Sequence, residues 1–149
     1  VSLGMQGVSS DKLKGHWFKH IEDAYLESKQ SNKPILALFT GSDWCKPCKE
    51  LEENLLNTPA FEEWAQENVI LLYLDYPINA SKSEEYWKHA NGLRNQLSPK
   101  GFPNMILFDA TKVSDSTFSF TEHGRIIGFE KTDTTYLEHL NAIIDASEN

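Results

Sequence analysis

Cysteine is scarce in this chain of 149 residues: there are two, Cys45 and Cys48, three positions apart. A disulfide closing so short a loop removes little entropy from the unfolded chain, so the pair argues for chemistry rather than for a staple. Long hydrophobic runs are lacking too. The longest, Val69 to Leu74, falls far short of the roughly 20 residues a membrane span needs, and no charged-then-apolar leader opens the chain. Positive charge is in deficit, with 14 Lys and Arg against 22 Asp and Glu and a formal net charge of -8. That balance repels phosphate backbones and leaves no footprint for nucleic acid or an anionic membrane. Internal repeats and low-complexity segments are absent. The expectation is a soluble globular protein whose compartment stays open, because a cleaved leader leaves no trace in a mature chain.

What is present suits one domain. A chain of this size buries roughly 70% of its unfolded surface, and a hydrophobic content of 40%, with four Trp, five Tyr and eight Phe, supplies the apolar area. Residues 1–15, polar and containing Gly4, Gly7 and Gly15, read as a loose N-terminal arm, and residues 16–149 as a single domain. From His20 to Gln30, Ile21, Ala24 and Tyr25 recur at helical spacing until Asn32-Lys33-Pro34 stops the helix. Ile35 to Thr40 is a short continuous apolar run, the pattern of a strand buried on both faces, and it ends in the turn Gly41-Ser42-Asp43. A helix from Cys45 to Leu56 follows, with Leu51, Leu55 and Leu56 on one face and Pro47 in the first turn, where a missing N–H is no loss. Thr58-Pro59 has the pattern of an N-cap and a first helical position, restarting the helix through Phe61, Trp64 and Ala65.

Val69 to Leu74 reads as a second buried strand, ending at Asp75-Tyr76-Pro77. Ser81-Lys82-Ser83-Glu84 has the spacing of a capping box and opens a helix reaching Leu97. After a loop from Ser98 to Gly101, Pro103 to Phe108 reads as a third strand and Arg125 to Glu130 as a fourth, with Glu122-His123-Gly124 as the hairpin turn. A last helix from about Asp133 carries Leu137, Leu140, Ile143 and Ile144 on one face. The order βαβ, helix, β-hairpin, helix predicts an α/β fold, a central mixed sheet with helices on both faces. Glu50, Glu52, Glu53, Glu62 and Glu63 read as solvated helix faces, and Trp64 and Trp87 as core.

The chemistry concentrates in Trp44-Cys45-Lys46-Pro47-Cys48. A Cys-x-x-Cys spacing also occurs in zinc sites, but structural zinc takes four ligands. The rest would have to come from His16, His20, His89, His123 and His139, of which only His16 and His20 share a ligand-like spacing. Neither a metal nor an organic cofactor is expected. Between a buried strand and a helix, Cys45 falls at the helix N-terminus, where unsatisfied N–H groups and the macrodipole favour a thiolate. Such placement lowers a cysteine pKa from about 8.5 to roughly 3.5–7.5. Cys45 is then the attacking thiol, and Cys48, one turn further in, resolves the mixed disulfide. Lys46 depresses the thiolate pKa if its side chain stays close and is otherwise a solvated surface residue; Trp44 is either a packing ring or one that faces substrate.

Gly101-Phe102-Pro103 precedes the third strand. Proline is sterically ordinary at the start of a strand, yet its place after the long helix suits a cis-proline loop facing the dithiol. Together with the run Phe39 to Lys49, the strand ending at Asp75 and the strand led by Gly124-Arg125, it resembles the thioredoxin superfamily over residues 17–147. It is most similar to the thioredoxin-like domains of bacterial thiol:disulfide interchange proteins, which share Lys33-Pro34 before the strand and the Gly41-Ser42-Asp43-Trp44 lead-in. The resemblance implies a thioredoxin fold and a thiol–disulfide oxidoreductase acting on protein or peptide disulfides. It makes Cys45 the nucleophile and Cys48 the resolving thiol, puts a cis Pro103 against the sulfurs, and pairs the backbone of Phe102 with an extended substrate chain. It further implies a separate redox partner and an extracytoplasmic or periplasmic location, with the cytoplasm as the alternative; a monomer is expected, and charge and run length point to no nucleic acid and no membrane insertion.

Two departures from the thioredoxin pattern bear on mechanism. Thioredoxin carries a buried Asp on the strand before the dithiol, where this chain has Leu38 or Phe39, so proton exchange at Cys48 falls to Asp43, a Glu of the following helix or water. The central dipeptide Lys46-Pro47 is neither the Gly-Pro of thioredoxin nor the Gly-His of protein disulfide isomerase; Pro47 matches the reducing members. Direction stays open, since about 30 mV shifts the equilibrium tenfold. A thioredoxin-fold binding module with a retained dithiol is the competing reading and predicts no turnover.

Overall fold

Five strands form one mixed sheet in a computed structural model that describes residues 13–148. In chain order the elements are β1 (Trp17–Phe18), α1 (Ile21–Ser31), β2 (Ile35–Thr40), α2 (Lys46–Leu51) continuing into a π-helical turn (Glu52–Leu56), and α3 (Pro59–Asn68). There follow β3 (Ile70–Asp75), α4 (Glu84–Leu97), β4 (Asn104–Ser114), β5 (Thr117–Ile127) and α5 (Tyr136–Ser147). The sheet runs β1-β3-β2-β4-β5, with β1, β3 and β2 parallel and β4 and β5 antiparallel to their neighbours.

Alternation along β2 splits the core. Leu36 and Leu38 join Leu51, Leu56, Phe61 and Leu140 on the face covered by α2, α3 and α5. Ala37 and Phe39 join Ala24, Leu72, Leu93 and Ile106 beneath α1 and α4. Both faces of β2 and β3 are thus buried, which is why their sequences read as unbroken apolar runs. The fold is the α/β arrangement expected, a mixed sheet with helices on both sides. Local signals act where the residues place them: Asn32 closes α1 in a left-handed conformation (φ 57°), and Thr58 caps α3 by accepting from the Phe61 N–H at 3.2 Å.

Several boundaries differ from expectation. The arm expected over residues 1–15 falls largely on residues 1–12, outside the described residues; of the rest, Leu13 is buried in the core. The short edge strand β1 had no visible pattern, being only two residues long. The cap of α4 is Ser83, whose hydroxyl accepts from the Tyr86 N–H, rather than the Ser81-to-Glu84 box. Glu122-His123-Gly124 is not a turn but lies inside β5; the hairpin reverses at Asp115-Ser116, between β4 and β5. Gly124 serves close approach instead: a Cβ there would come within 2.8 Å of Ile143 on α5. The missed half of the hairpin alternates, with Phe118 and Phe120 turned inward against Tyr25 and Phe108. Glu52, read as solvated, is 7% exposed.

Candidate active site

The register brings the site to one end of the sheet. Thr40 at the end of β2 pairs with Asp75 at the end of β3, and Phe39 pairs with Asn104 at the start of β4. The segments following β2 and β3 and preceding β4 therefore emerge side by side. Gly41 begins the turn after β2: its carbonyl accepts the N–H groups of Trp44 (3.3 Å) and Cys45 (3.0 Å). A side chain on Gly41 would collide with the Trp44 indole, so glycine here gives the ring its seat.

Three consecutive residues pin that turn to the chain leaving β3. The Asp75 carboxylate accepts from Ser42 N–H at 2.8 Å and Ser42 Oγ–H at 2.6 Å. The Asp43 carboxylate accepts from the N–H groups of Ile78 (2.9 Å) and Asn79 (2.7 Å). Trp44 Nε1–H donates to the Tyr76 carbonyl at 2.8 Å. The Ile78 amide holds the Asp43 carboxyl below its ordinary range, which makes it a poor proton acceptor for Cys48 at neutral pH. Nothing in the sequence pattern distinguished Asp75 from any strand-ending acid; its partner lies 33 residues away.

Cys45 is the N-cap of α2 and is joined to Cys48 by a disulfide, the Cα atoms 5.2 Å apart. Cys45 Sγ also accepts from the Cys48 N–H at 3.3 Å, so an orphan donor of the first helical turn already points at this sulfur. The two residues are 4% and 2% exposed. Pro47 lies in the first turn, as its missing donor allows. Lys46 is exposed, and Trp44 is 44% exposed.

In the loop before β4 the Phe102–Pro103 peptide bond is cis and Pro103 is buried. Phe102 is half-buried, its ring 5.6 Å from Trp44 and 5.5 Å from Tyr76. The loop bearing it is tied down from both sides: Gly128 N–H donates to the Pro103 carbonyl at 2.7 Å. Arg125 donates to the carbonyls of Leu97 and Ser98 while pairing with Glu122.

Beneath the dithiol helix, β2 presents Leu36 and Leu38 with no acid among them. Among the described residues two carboxylates are buried, Asp75 and Glu52. Asp75 accepts from Ser42 at the end of β3; Glu52 stands four residues after Cys48 on the same helical face. That spacing was legible; the burial of Glu52, at the start of the π-helical turn, was not.

Among the described residues the histidines form no cluster of three: His20 and His89 stack at 4.0 Å, away from His123. His20 caps α1, His89 Nε2 accepts from the Ile21 N–H, and His123 contacts Asp109. Among the described residues, no group of three or more His, Cys, Asp and Glu side chains could hold a metal ion.

Comparison with known proteins agrees with this geometry. The chain is 33% identical over 94 residues to the disulfide bond reductase DsbH of Chlamydia pneumoniae, 63% of this chain and 56% of that protein. It is 26% identical over 91 residues to the thioredoxin-related protein DsbJ of the same organism, 61% of this chain and 26% of that protein. The chain thus matches about half the length of one relative and a quarter of the other. Among solved structures, a DsbH oxidoreductase superposes with a TM-score of 0.70 at 22% identity, covering 97% of this chain and 95% of that one. A thioredoxin from Thermus thermophilus gives 0.59 at 12% identity over 88% and 86%. These likenesses show a thioredoxin fold. A thioredoxin-like family model matches residues 16–110, well over half of the sequence, and the chain belongs to the thioredoxin-like family.

Proposed function

We propose that the protein is a thiol–disulfide oxidoreductase that reduces protein disulfides. The observation that carries this is the Cys45–Cys48 disulfide at a helix N-terminus, its outer sulfur facing a backbone donor. In the reduced protein the same donor and the helix dipole favour a Cys45 thiolate. That thiolate attacks one sulfur of the substrate disulfide, and the other substrate sulfur leaves as a thiolate that takes up a proton. Cys48, losing its proton, attacks the Cys45 sulfur, closes the intramolecular disulfide and releases the second substrate thiol. The substrate gains two electrons and the protein dithiol loses them, so a separate redox partner must return the pair to the dithiol form.

Glu52, buried one turn beyond Cys48, is the group we assign to accept the Cys48 proton, the role of thioredoxin's strand acid. The extended substrate chain runs along the backbone at Phe102 beside cis Pro103, with Trp44 against it. Lys46 supports the thiolate electrostatically. Pro47 and the reductase relative favour the reducing direction. An extracytoplasmic compartment follows from the resemblance to bacterial interchange domains; alkylation of the dithiol in intact cells by a membrane-impermeant maleimide tests it.

The reduced protein is expected to reduce a peptide disulfide, Cys45→Ser to be inert, and Cys48→Ser to accumulate a mixed disulfide detectable by mass spectrometry. Full activity in Cys45→Ser would overturn the assignment. In a glutathione buffer the pair should settle on the disulfide side, as a dithiol more reducing than glutathione does; settling on the dithiol side would mark an oxidant instead.

A further inference from the structure

Resting on the reductase reading, we propose that Arg94 makes the site select disulfide-bearing chains that carry an acidic side chain near the cysteine. Beside the dithiol turn lies a groove of about 390 Å³, lined by Trp44, Ile78, Trp87 and Phe102 with Arg94 on its wall. Its apolar rim is uncovered, Trp44 being 44% and Ile78 71% exposed. Arg94, in the last turn of α4, lies over two rings: its guanidinium carbon is 5.2 Å from the Tyr76 centroid and 5.3 Å from that of Phe102. The Tyr76 ring is anchored by its hydroxyl, which donates to the Ala90 carbonyl at 2.6 Å, and Phe102 packs against that ring at 5.5 Å.

These cation–π contacts hold the guanidinium in place while leaving its N–H donors unspent. Among the described residues no carboxylate pairs with Arg94, which differs in this from Arg125, whose donors go to Glu122, Leu97 and Ser98. The nearby Asp43 is already taken by the amides of Ile78 and Asn79. A held, unpaired guanidinium on the wall of a groove rimmed by exposed Trp44 and Ile78 suits a carboxylate in bidentate geometry. Phe102 links the groove to the reaction, since the substrate chain passes along its backbone. The net charge of -8 gives no long-range attraction for an acidic chain, so the selection is by contact. An arginine placed only to complement the end of α4 would be indifferent to substrate charge.

The test compares kcat/KM of the reduced protein on disulfide peptides differing only by Glu or Gln at successive positions on either side of the cysteine. The unaltered protein is expected to favour Glu about tenfold at the best position. In Arg94→Gln the Glu and Gln rates should converge, and Arg94→Glu should favour a Lys peptide at the same position. Equal rates on Glu and Gln peptides at every position overturn the inference and leave the oxidoreductase standing. An Arg94→Gln protein slowed on both series but keeping its preference also overturns it. Absence of turnover on both series overturns the proposed function and this inference together.

Discussion

Replacing Gly41 by Ala tests how the dithiol turn is built. The three heavy atoms nearest an added Cβ all belong to the Trp44 indole. The glycine backbone is not in the left-handed region, so the cost is steric alone. If the ring is expelled, it forfeits its hydrogen bond to the Tyr76 carbonyl, worth about 1 kcal/mol, and its packing on Phe102, worth about 0.5–1.5 kcal/mol. If the ring stays, the turn must move, at about 1–3 kcal/mol. Either way Gly41→Ala should destabilise by about 2 kcal/mol. In a Trp44→Ala background the same substitution meets no ring and should be neutral, or stabilising by about 0.4–1 kcal/mol through the unfolded chain. Urea unfolding of the four oxidised proteins gives the cycle, with a coupling of about 2–3 kcal/mol expected. A Gly41→Ala cost that agrees within about 0.5 kcal/mol in the two backgrounds would refute the reasoning.

Two further outcomes follow from other parts of the molecule. Burial, with His20 stacked 4.0 Å away, depresses His89 from 6.5 to about 4, and its Nε2 must stay unprotonated to accept the Ile21 N–H. A lowered folded-state pKa contributes stability above pH 6.5 that is lost as the pH falls towards 4. After discounting for the water that reaches this half-buried ring, the loss is about 1–2 kcal/mol. His89→Gln, which keeps an acceptor, should flatten that part of the pH–stability profile, and parallel profiles would contradict the account. Glu52→Gln should slow resolution of the mixed disulfide by Cys48 about 100-fold in stopped-flow measurements near neutral pH, and an unchanged rate would remove Glu52 from the proton path.

Legibility followed the range of the interaction. The apolar runs of β2 and β3, the Thr58-Pro59 start of α3 and the stop at Asn32 were readable because each depends on neighbours within a turn or on simple burial. Gly124 was misread because a glycine required by the approach of Ile143 looks the same, in sequence, as one required by a turn. Glu52 was misread because an acid on a helix is normally solvated, whereas in the folded chain it is buried where α2 runs on into the π-helical turn.

Periodicity and capping are local, so the sequence alone carried the α/β class, the helices, the strands β2 and β3, and the place of Cys45 and Cys48 at a strand-to-helix junction. The tertiary structure alone decided what surrounds the dithiol. Ser42, Asp43 and Trp44 meet residues more than thirty positions away, and Phe102 and Arg94 reach the same end of the sheet, because β3 and β4 flank β2 in register. No local pattern encodes such pairings; they exist only once the sheet has assembled.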